Sequence, residues 1–246
     1  MKKILIILLI LSQILINACA NKTKSFTADD MSEMFKKGMT YYEKENWLKA
    51  EETFTYIVYN DPGGVYADDA QFYLGETAFN KEEYLTAIDE YRRLVRRWPN
   101  SEFTNTAYWR KTEALVALSP DYRRASEPTE RALASVYEFL ERYPDSEYND
   151  KAQELIQELK NKMANKLFDA GNLYRTLEYF DSALVYFIAV QEEFPESEFM
   201  DASILYEALC LSKLGQKDES ILKLELINQE NLSLKEKAMF NSLHGK

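Results

Sequence analysis

The sequence predicts an all-α protein, an α-solenoid of about five helix pairs. Two observations lead to this fold class. Corners that contain proline recur at Pro62, Pro99, Pro144 and Pro195. Between the corners, apolar residues follow helical spacing and strand signals are nearly absent. Because proline prevents a helix from continuing, corners that recur in this way indicate a stack of similar helical units.

Three of the corners have nearly the same sequence, an aromatic residue followed by Pro-x-Ser-Glu and a second aromatic residue. They occupy residues 98–103, 143–148 and 194–199, and a looser version occupies residues 60–66. The pattern predicts that the first aromatic ends one helix and that the serine caps the next. The glutamate would then lie at the N-terminal end of the new helix, where its charge is favourable.

The residues before three of the prolines share one register, in which small and aromatic residues recur at fixed distances from the proline. The matching sets are Gly38, Tyr41, Ala50 and Phe54; Gly75, Ala78, Ala87 and Tyr91; and Gly171, Tyr174, Ala183 and Phe187. This is the tetratricopeptide (TPR) pattern. Its small residues let two helices approach closely, and its aromatic residues fill the space between them.

The register places five repeats within a superhelix of residues 31–230. We expect them at about residues 31–62, 67–99, 102–144, 147–195 and 198–230. The third repeat contains a lengthened turn at residues 118–124, and residues 146–174 read as one long helix without an internal proline. Residues 231–246 form a C-terminal tail, in which Ser233 and Glu236 predict a capping box for one more helix.

The first residues are typical of an export signal. A basic start precedes the aliphatic run at residues 4–11, which is too short for a stable membrane span. Cys19 follows a small residue at the expected cleavage point. We therefore predict a lipoprotein signal peptide at residues 1–18, lipidation of Cys19 and a lipidated tether at residues 19–30. The alternative is an ordinary signal peptide with a coincidental cysteine.

Composition argues against several classes of function. The formal net charge of −11 is opposite to what a nucleic-acid-binding protein needs. The single histidine, His244, lies in the tail, and Cys210 lies within an apolar helical run. The chain has no Ser-His-Asp arrangement, no zinc-binding cluster and no glycine-rich phosphate loop. We predict no catalytic residue, cofactor, metal site or nucleic-acid partner.

The first helices of tetratricopeptide repeats line a groove, and the register places five apolar side chains there. They are Phe35, Met39 and Tyr42 in the first repeat and Phe72 and Phe79 in the second. An exposed aromatic strip usually marks a docking site for a peptide or protein, although packing between repeats would bury individual members. We expect the strip as a whole to bind a partner.

Two groups of arginines are further candidates for partner contacts. Arg123 and Arg124 lie in the lengthened turn, which the repeat architecture does not explain, and inserted loops are often functional. Residues 92–97 contain the densest basic patch of the chain. Its arginines fit the C-terminal end of a helix, where cations are favourable, and the alternative is that they capture a carboxylate.

Several features in sequence order carry a family resemblance. They are the cysteine at residue 19, the first-repeat segments 45–50 and 61–66, the lengthened turn at 119–129, and the corner at 143–148 that leads into a long helix containing residues 159–164. Over essentially the whole chain, these features resemble the BamD family. That family consists of the TPR lipoproteins of the outer-membrane β-barrel assembly machinery.

The resemblance implies a non-enzymatic lipoprotein subunit, anchored by lipid to the outer membrane and facing the periplasm. It implies that the C-terminal repeats bind a BamA-like protein with POTRA domains and a barrel. The N-terminal repeats would recognise unfolded outer-membrane proteins, whose terminal strand ends in an aromatic residue. An alternative is another periplasmic TPR adaptor lipoprotein, one that coordinates envelope constriction or peptidoglycan synthesis.

Overall fold

The computed structural model describes residues 27–124 and 126–245, which form eleven α-helices and one short 3-10 helix without any strand among them. The helices are α1 (Ala28–Glu43), α2 (Trp47–Asn60), α3 (Ala67–Asn80), α4 (Tyr84–Arg97), α5 (Thr104–Ala117), α6 (Glu127–Arg142), α7 (Asn149–Thr176), α8 (Phe180–Glu193), α9 (Met200–Lys213), α10 (Lys217–Leu224) and α11 (Leu234–His244), with the 3-10 helix at Gln229–Asn231. The predicted all-α class is confirmed. Helices α1 to α10 form five consecutive pairs, which we call the first to fifth repeats.

The chain divides into two compact units, one up to Ala70 and one from Gln71 onward. In the first unit, α1 packs against α2. In the second unit, each helix from α4 to α10 packs against the next one in the chain, and α11 packs against α9 and α10. Helix α1 begins at Ala28, within the segment predicted as tether, because Thr27 and Asp30 form a capping box there.

A glycine on the first helix faces an aromatic ring on the second helix in three of the repeats. The pairs are Gly38 with Phe54, Gly75 with Tyr91, and Gly171 with Phe187. A Cβ atom added to Gly38 would come within 2.6 Å of the facing ring, and one added to Gly171 within 2.7 Å. The three rings are fully buried. The glycines are therefore required for the close approach of the two helices.

In the third and fifth repeats, the space between the two helices is filled without a glycine or an aromatic ring. In the third repeat, the buried hydroxyls of Thr112 and Ser135 are hydrogen-bonded at 2.9 Å between α5 and α6. In the fifth repeat, Ala208 and Leu224 belong to one buried cluster, and the Ser220 hydroxyl donates to the Ala208 carbonyl at 2.7 Å. In the two repeats that depart from the sequence pattern, small, hydroxyl-bearing or aliphatic side chains therefore take the place of the glycine and the ring.

The corner at residues 98–103 consists of two successive backbone turns. The N–H of Ser101 donates to the Trp98 carbonyl, and the N–H of Thr104 donates to the Ser101 carbonyl, both at 3.1 Å. The equivalent bonds recur in the other three corners, including the first, where Gly64 takes the place of the serine. All four corners therefore share one geometry, and the looser first corner does not differ from the rest.

The prediction that the corner serines cap the following helices is wrong. The extra turn places Phe103, not Ser101, immediately before α5, and Phe103 makes no side-chain cap. The Ser101 hydroxyl instead accepts from the Phe103 N–H at 3.2 Å, inside the corner. Two other expectations are confirmed: α7 is one continuous helix of 28 residues, and Ser233 and Glu236 form the predicted capping box.

Candidate partner-binding surfaces

The predicted groove residues of the first unit lie on one face of α1, at helical spacing. Phe35 is half-buried and stacks on Tyr66, with ring centroids 5.2 Å apart. Tyr42 is also half-buried and meets Trp47 edge-on at 5.4 Å. Met39 lies between them along the helix and is half-buried. These side chains therefore contribute to packing and keep part of their surface exposed, and their role in docking stays a prediction.

The two predicted groove residues of the second unit differ in accessibility. Phe72 is buried and stacks on Phe103 at 4.4 Å, so it belongs to the core of this unit. Phe79 is half-buried and packs edge-on against Tyr84 at 5.3 Å. The guanidinium of Arg110 lies over the Phe79 ring, 3.9 Å from its centroid. Of these two side chains, only Phe79 offers surface, and Arg110 covers part of it.

A pocket of about 470 Å³ lies between the first helices of the second, third and fourth repeats. Its lining residues are Phe79 from α3; Trp109, Arg110, Glu113 and Val116 from α5; and Lys151, Glu154, Leu155 and Glu158 from α7. The indole of Trp109 stacks on Tyr148 at 5.2 Å and forms part of the wall. The pocket combines an aromatic and aliphatic wall with charged side chains, as expected of a site that holds a peptide side chain.

Arg110 is held in this pocket by two carboxylates. Its Nε and Nη2 atoms donate to Glu76 at 2.6 and 3.1 Å, and its Nη1 atom donates to Glu113 at 2.8 Å. The Tyr91 hydroxyl also donates to Glu76. Burial lowers the pKa of Arg110, but the hydrogen bonds to Glu76 and Glu113 and the charges of Tyr91 and Glu76 together raise the pKa above its ordinary value. Burial and the Glu76 charge raise the pKa of Tyr91. These charged groups are fixed in position.

The pocket residues were missed because the sequence register was applied to the first helices of two repeats only. When these positions are counted forward from the preceding corner proline, as Phe72 and Phe79 are from Pro62, those of the third and fourth repeats include Trp109, Glu113, Val116, Lys151, Glu154 and Glu158. Arg110 is outside that register, and it reaches the pocket because its long side chain lies across Phe79. The repeat pattern itself was therefore the signal that would have found most of this site.

The lengthened turn of the third repeat is attached to the long helix α7 by two lysines. Lys162 Nζ donates to the carbonyl and the hydroxyl of Ser119, at 3.0 and 2.8 Å. Lys166 Nζ donates to the Arg124 carbonyl and the Ser126 hydroxyl, at 2.8 and 2.7 Å. The two lysines are four residues apart and so lie on one face of the helix. The overlong helix thus provides the bonds that position the turn.

This attachment presents Arg123 and Arg124 at the surface. The Tyr122 hydroxyl donates to Asp169 of α7 at 2.7 Å, and the guanidinium of Arg123 lies 4.7 Å from the centre of the Tyr122 ring. Both arginines are exposed, and neither forms an ion pair with a carboxylate of the described residues. The predicted contact residues therefore lie on a turn with a defined conformation, and their contact with a partner stays a prediction.

Exposed apolar side chains are frequent in the fourth and fifth repeats. The side chains that are each more than half exposed are Leu173 and Leu177 near the end of α7, Tyr179 after it, Val185 on α8, Leu222 on α10 and Leu226 after α10. Contiguous apolar surface on a folded protein commonly marks a binding site for another protein. The sequence carries no signal for this surface, because each of these side chains is an ordinary apolar residue within a helical pattern.

Other expectations concern residues with reactive side chains. Cys210 is fully buried, as predicted for a core position, and burial raises the pKa of its thiol to about 11. His244 stacks on Phe240 at 5.6 Å. Within residues 27–124 and 126–245, no cluster of side chains fits a metal ion, and no helix combines the length and apolarity of a membrane span. Cys19 and the signal segment lie outside the described residues.

Comparison with known proteins relates the chain to one family and one fold. The family model described as YfiO, outer membrane lipoprotein, matches residues 27–223. The putative outer membrane protein assembly factor BamD of Aquifex aeolicus is 27% identical over 192 residues, which cover 76% of this chain and 62% of that protein. The corresponding BamD of Vibrio cholerae is 22% identical, with coverage of 76% and 82%. The TPR2AB domain of yeast Sti1, solved as a pHSP90 complex, has a TM-score of 0.51 at 15% identity, and the match covers 88% of this chain and 84% of that one.

Proposed function

The chain belongs to the family described as YfiO, outer membrane lipoprotein, and from that premise we propose how it acts in outer membrane protein assembly. Relatives that match most of the chain are named outer membrane protein assembly factors, and this protein is one. We propose that it is a non-enzymatic scaffold. It would bind a BamA-like barrel subunit through its C-terminal repeats and unfolded outer-membrane proteins through its N-terminal repeats.

One observation carries the scaffold proposal: the second unit has two surfaces of different chemistry. The pocket between α3, α5 and α7 is small, partly charged and suited to single side chains of an extended peptide. The exposed apolar side chains of the fourth and fifth repeats are spread over several helices, which suits a folded partner. A protein that holds a folded subunit and an unfolded substrate together needs two such surfaces.

The anchor of the scaffold would be lipid on Cys19. Lipid chains at that position would hold the helical body at the periplasmic face of the outer membrane through the residues that precede Thr27. Attachment by several acyl chains is long-lived, because each buried methylene contributes about 0.8 kcal/mol. Replacement of Cys19 by serine should release the protein from membranes. Its persistence in the membrane fraction after a high-salt wash would contradict lipidation as the anchor.

Isolation of the complex tests the scaffold directly. The lipoprotein, extracted in mild detergent, should copurify with a POTRA-bearing barrel protein in stoichiometric amount. Substitution of Val185 and Leu222 by glutamate should reduce that amount at least tenfold, because both side chains are exposed and apolar. Leu85 on α4 is similarly exposed, and its replacement by glutamate serves as the matched control. Absence of any barrel protein would refute the proposal.

Substrate recognition is tested separately with a peptide that ends in an aromatic strand residue. Met39→Asp on α1 and Val116→Asp in the pocket should each weaken binding about tenfold, since both introduce a charge on a proposed apolar contact surface. The Leu85 variant again serves as the control. Unchanged affinity in both folded variants would show that the peptide binds elsewhere.

The lengthened turn is a third proposed contact. Arg123 and Arg124 would pair with carboxylates of a partner subunit, because both are exposed and have no carboxylate partner within the described part of the chain. Charge reversal of both should slow association with the partner and remove most of its dependence on salt.

A further inference from the structure

The third repeat contains a lysine whose side chain is almost fully buried. Lys111 on α5 is only 9% exposed, and its ammonium nitrogen lies 3.6 Å from the centre of the Tyr108 ring. It makes no hydrogen bond or ion pair with any other described residue. Burial of a charged amine that lacks a bonded partner is unfavourable, because the protein replaces only part of the lost hydration. A residue of this kind requires an explanation.

Two arginines lie around the same lysine. The guanidinium of Arg142 on α6 lies 5.7 Å from the centre of the Tyr108 ring, and Arg92 on α4 is close enough to act on Lys111 electrostatically. Burial lowers the pKa of Lys111 to about 8; the charge of Glu138 opposes this shift, and the charges of Arg92 and Arg142 add to it. Two further positive charges thus act on this amine.

The carboxylates close to this cluster already have partners. Glu138 accepts a hydrogen bond from the Tyr108 hydroxyl at 2.8 Å, and Asp89 forms an ion pair with Arg92 at 3.1 Å. The three cations and these two carboxylates leave one positive charge in excess. This local excess is opposite in sign to the net charge of the whole chain, which is −11.

We propose that Lys111, Arg92 and Arg142 form a binding site for one carboxylate group, presented as an acidic side chain by a partner protein. The Tyr108 ring forms the floor, the Lys111 ammonium lies over that ring, and the two exposed guanidinium groups are available from solvent. Charge-assisted hydrogen bonds to such a carboxylate would replace the hydration that the ammonium has lost. A single excess positive charge matches a monoanionic carboxylate better than a dianionic phosphate. The proposal holds for any acidic partner and does not depend on the barrel subunit.

A titration of Lys111 in the full chain tests this site. The protein is labelled with 13C at the lysine Cε atoms, and the Lys111 signal is assigned by its loss in Lys111→Met. An acetylated Ala-Glu-Ala amide is added as the carboxylate probe, and Ala-Gln-Ala amide as its neutral match. We expect the glutamate peptide to raise the pKa of Lys111 by about one unit or more, because an opposite charge favours the protonated amine. The glutamine peptide should leave it unchanged.

Variants of α6 provide the matched comparison. Arg142→Gln should weaken binding of the glutamate peptide about tenfold. Arg131→Gln, on the same helix and also exposed, should not, since Arg131 forms its ion pair with Glu127. The proposal is wrong if millimolar glutamate peptide leaves the pKa of Lys111 unmoved, or if both peptides move it equally. It is also wrong if inorganic phosphate produces the shift at a lower concentration than the peptide.

Discussion

The fourth repeat and the third repeat join their two helices by opposite chemistry. In the fourth, Gly171 lies against the buried ring of Phe187, so contact is apolar and depends on shape. In the third, Thr112 and Ser135 share a buried hydrogen bond, and the residue before Thr112, Lys111, is an almost fully buried lysine. A contact that depends on shape fixes the distance between the two helices, whereas a hydrogen-bonded contact depends less on the size of the side chains. The repeat with the polar contact is also the one that contains the lengthened turn.

The largest effect on stability is expected when the contact between Gly171 and Phe187 is disrupted. Gly171→Val would place a branched side chain where even a Cβ atom comes within 2.7 Å of the Phe187 ring. Overpacking of a buried helix contact costs about 3 kcal/mol. We expect the free energy of unfolding, measured by urea denaturation, to fall by that amount.

Gly63 supplies the control for this substitution. A Cβ atom at Gly63 would meet nothing within 4 Å, so Gly63→Ala should change the free energy of unfolding by less than about 0.5 kcal/mol. A loss below about 1 kcal/mol for Gly171→Val would mean that the ring moves aside and that shape does not hold this repeat together.

A smaller and more local effect is expected in the irregular region. Replacement of Lys162 and Lys166 by methionine keeps the aliphatic stems and removes the bonds to the inserted turn. Hydrogen bonds to charged groups contribute about 1.5–3 kcal/mol each when buried, and these lysines are partly exposed, so we expect a combined loss of about 2 kcal/mol. Amide hydrogen exchange should accelerate at residues 119–126 and remain slow in α9.

Lys235 on α11 is exposed, and its substitution serves as the control for the double substitution. Its replacement by methionine should alter neither stability nor exchange. If the turn keeps its slow exchange without Lys162 and Lys166, its conformation is independent of α7, and the co-occurrence of the long helix and the long turn has another cause.

The regular repeats could be predicted in detail because their contacts depend on residue size. Gly38 and Gly75 stand at fixed distances from buried aromatic partners, and sequence spacing alone shows this. The groove register likewise reaches the pocket once it is continued to Trp109 and Glu154. Burial of Phe72 against Phe103 was not predictable, since it depends on how the corner at residues 98–103 returns the chain to the helices.

The polar bonds of the irregular region could not be predicted from the sequence. Lys162 bonds to Ser119 across a sequence separation of 43 residues, and no local pattern distinguishes this lysine from a solvated one. The serine cap failed for a related reason: a hydroxyl next to a helix has several backbone N–H groups within reach, and the extra turn of the corner decides which one it accepts from. Size patterns repeat along a chain, whereas such bonds depend on tertiary packing.

The smallest expected effect is a gain in stability and not a loss, and it concerns Lys111 in the third repeat. Burial lowers the pKa of Lys111 to about 8, from 10.5 in the unfolded chain. Below pH 8 the amine is charged in both states, so its burial disfavours the folded state fully. Between pH 8 and 10.5 the unfolded chain binds the proton more strongly, and the disadvantage diminishes as the pH rises. Lys111→Met should therefore stabilise the protein by about 1 kcal/mol at pH 7, and by less at pH 9.5.

Urea denaturation of Lys111→Met and the unsubstituted protein at the same two pH values measures this difference, because the other titrating groups cancel in the comparison. Ser135→Ala is a useful second variant. It removes the bond between the two hydroxyls, while Thr112 keeps its bond to the Tyr108 carbonyl, and it should cost about 1 kcal/mol at both pH values, since neither hydroxyl titrates. A gain that is equal at pH 7 and 9.5 would assign the effect of Lys111→Met to packing. A gain that shrinks as the pH rises would show that the positive charge of Lys111 destabilises the folded state, as expected of a cation that has no bonded partner within the chain.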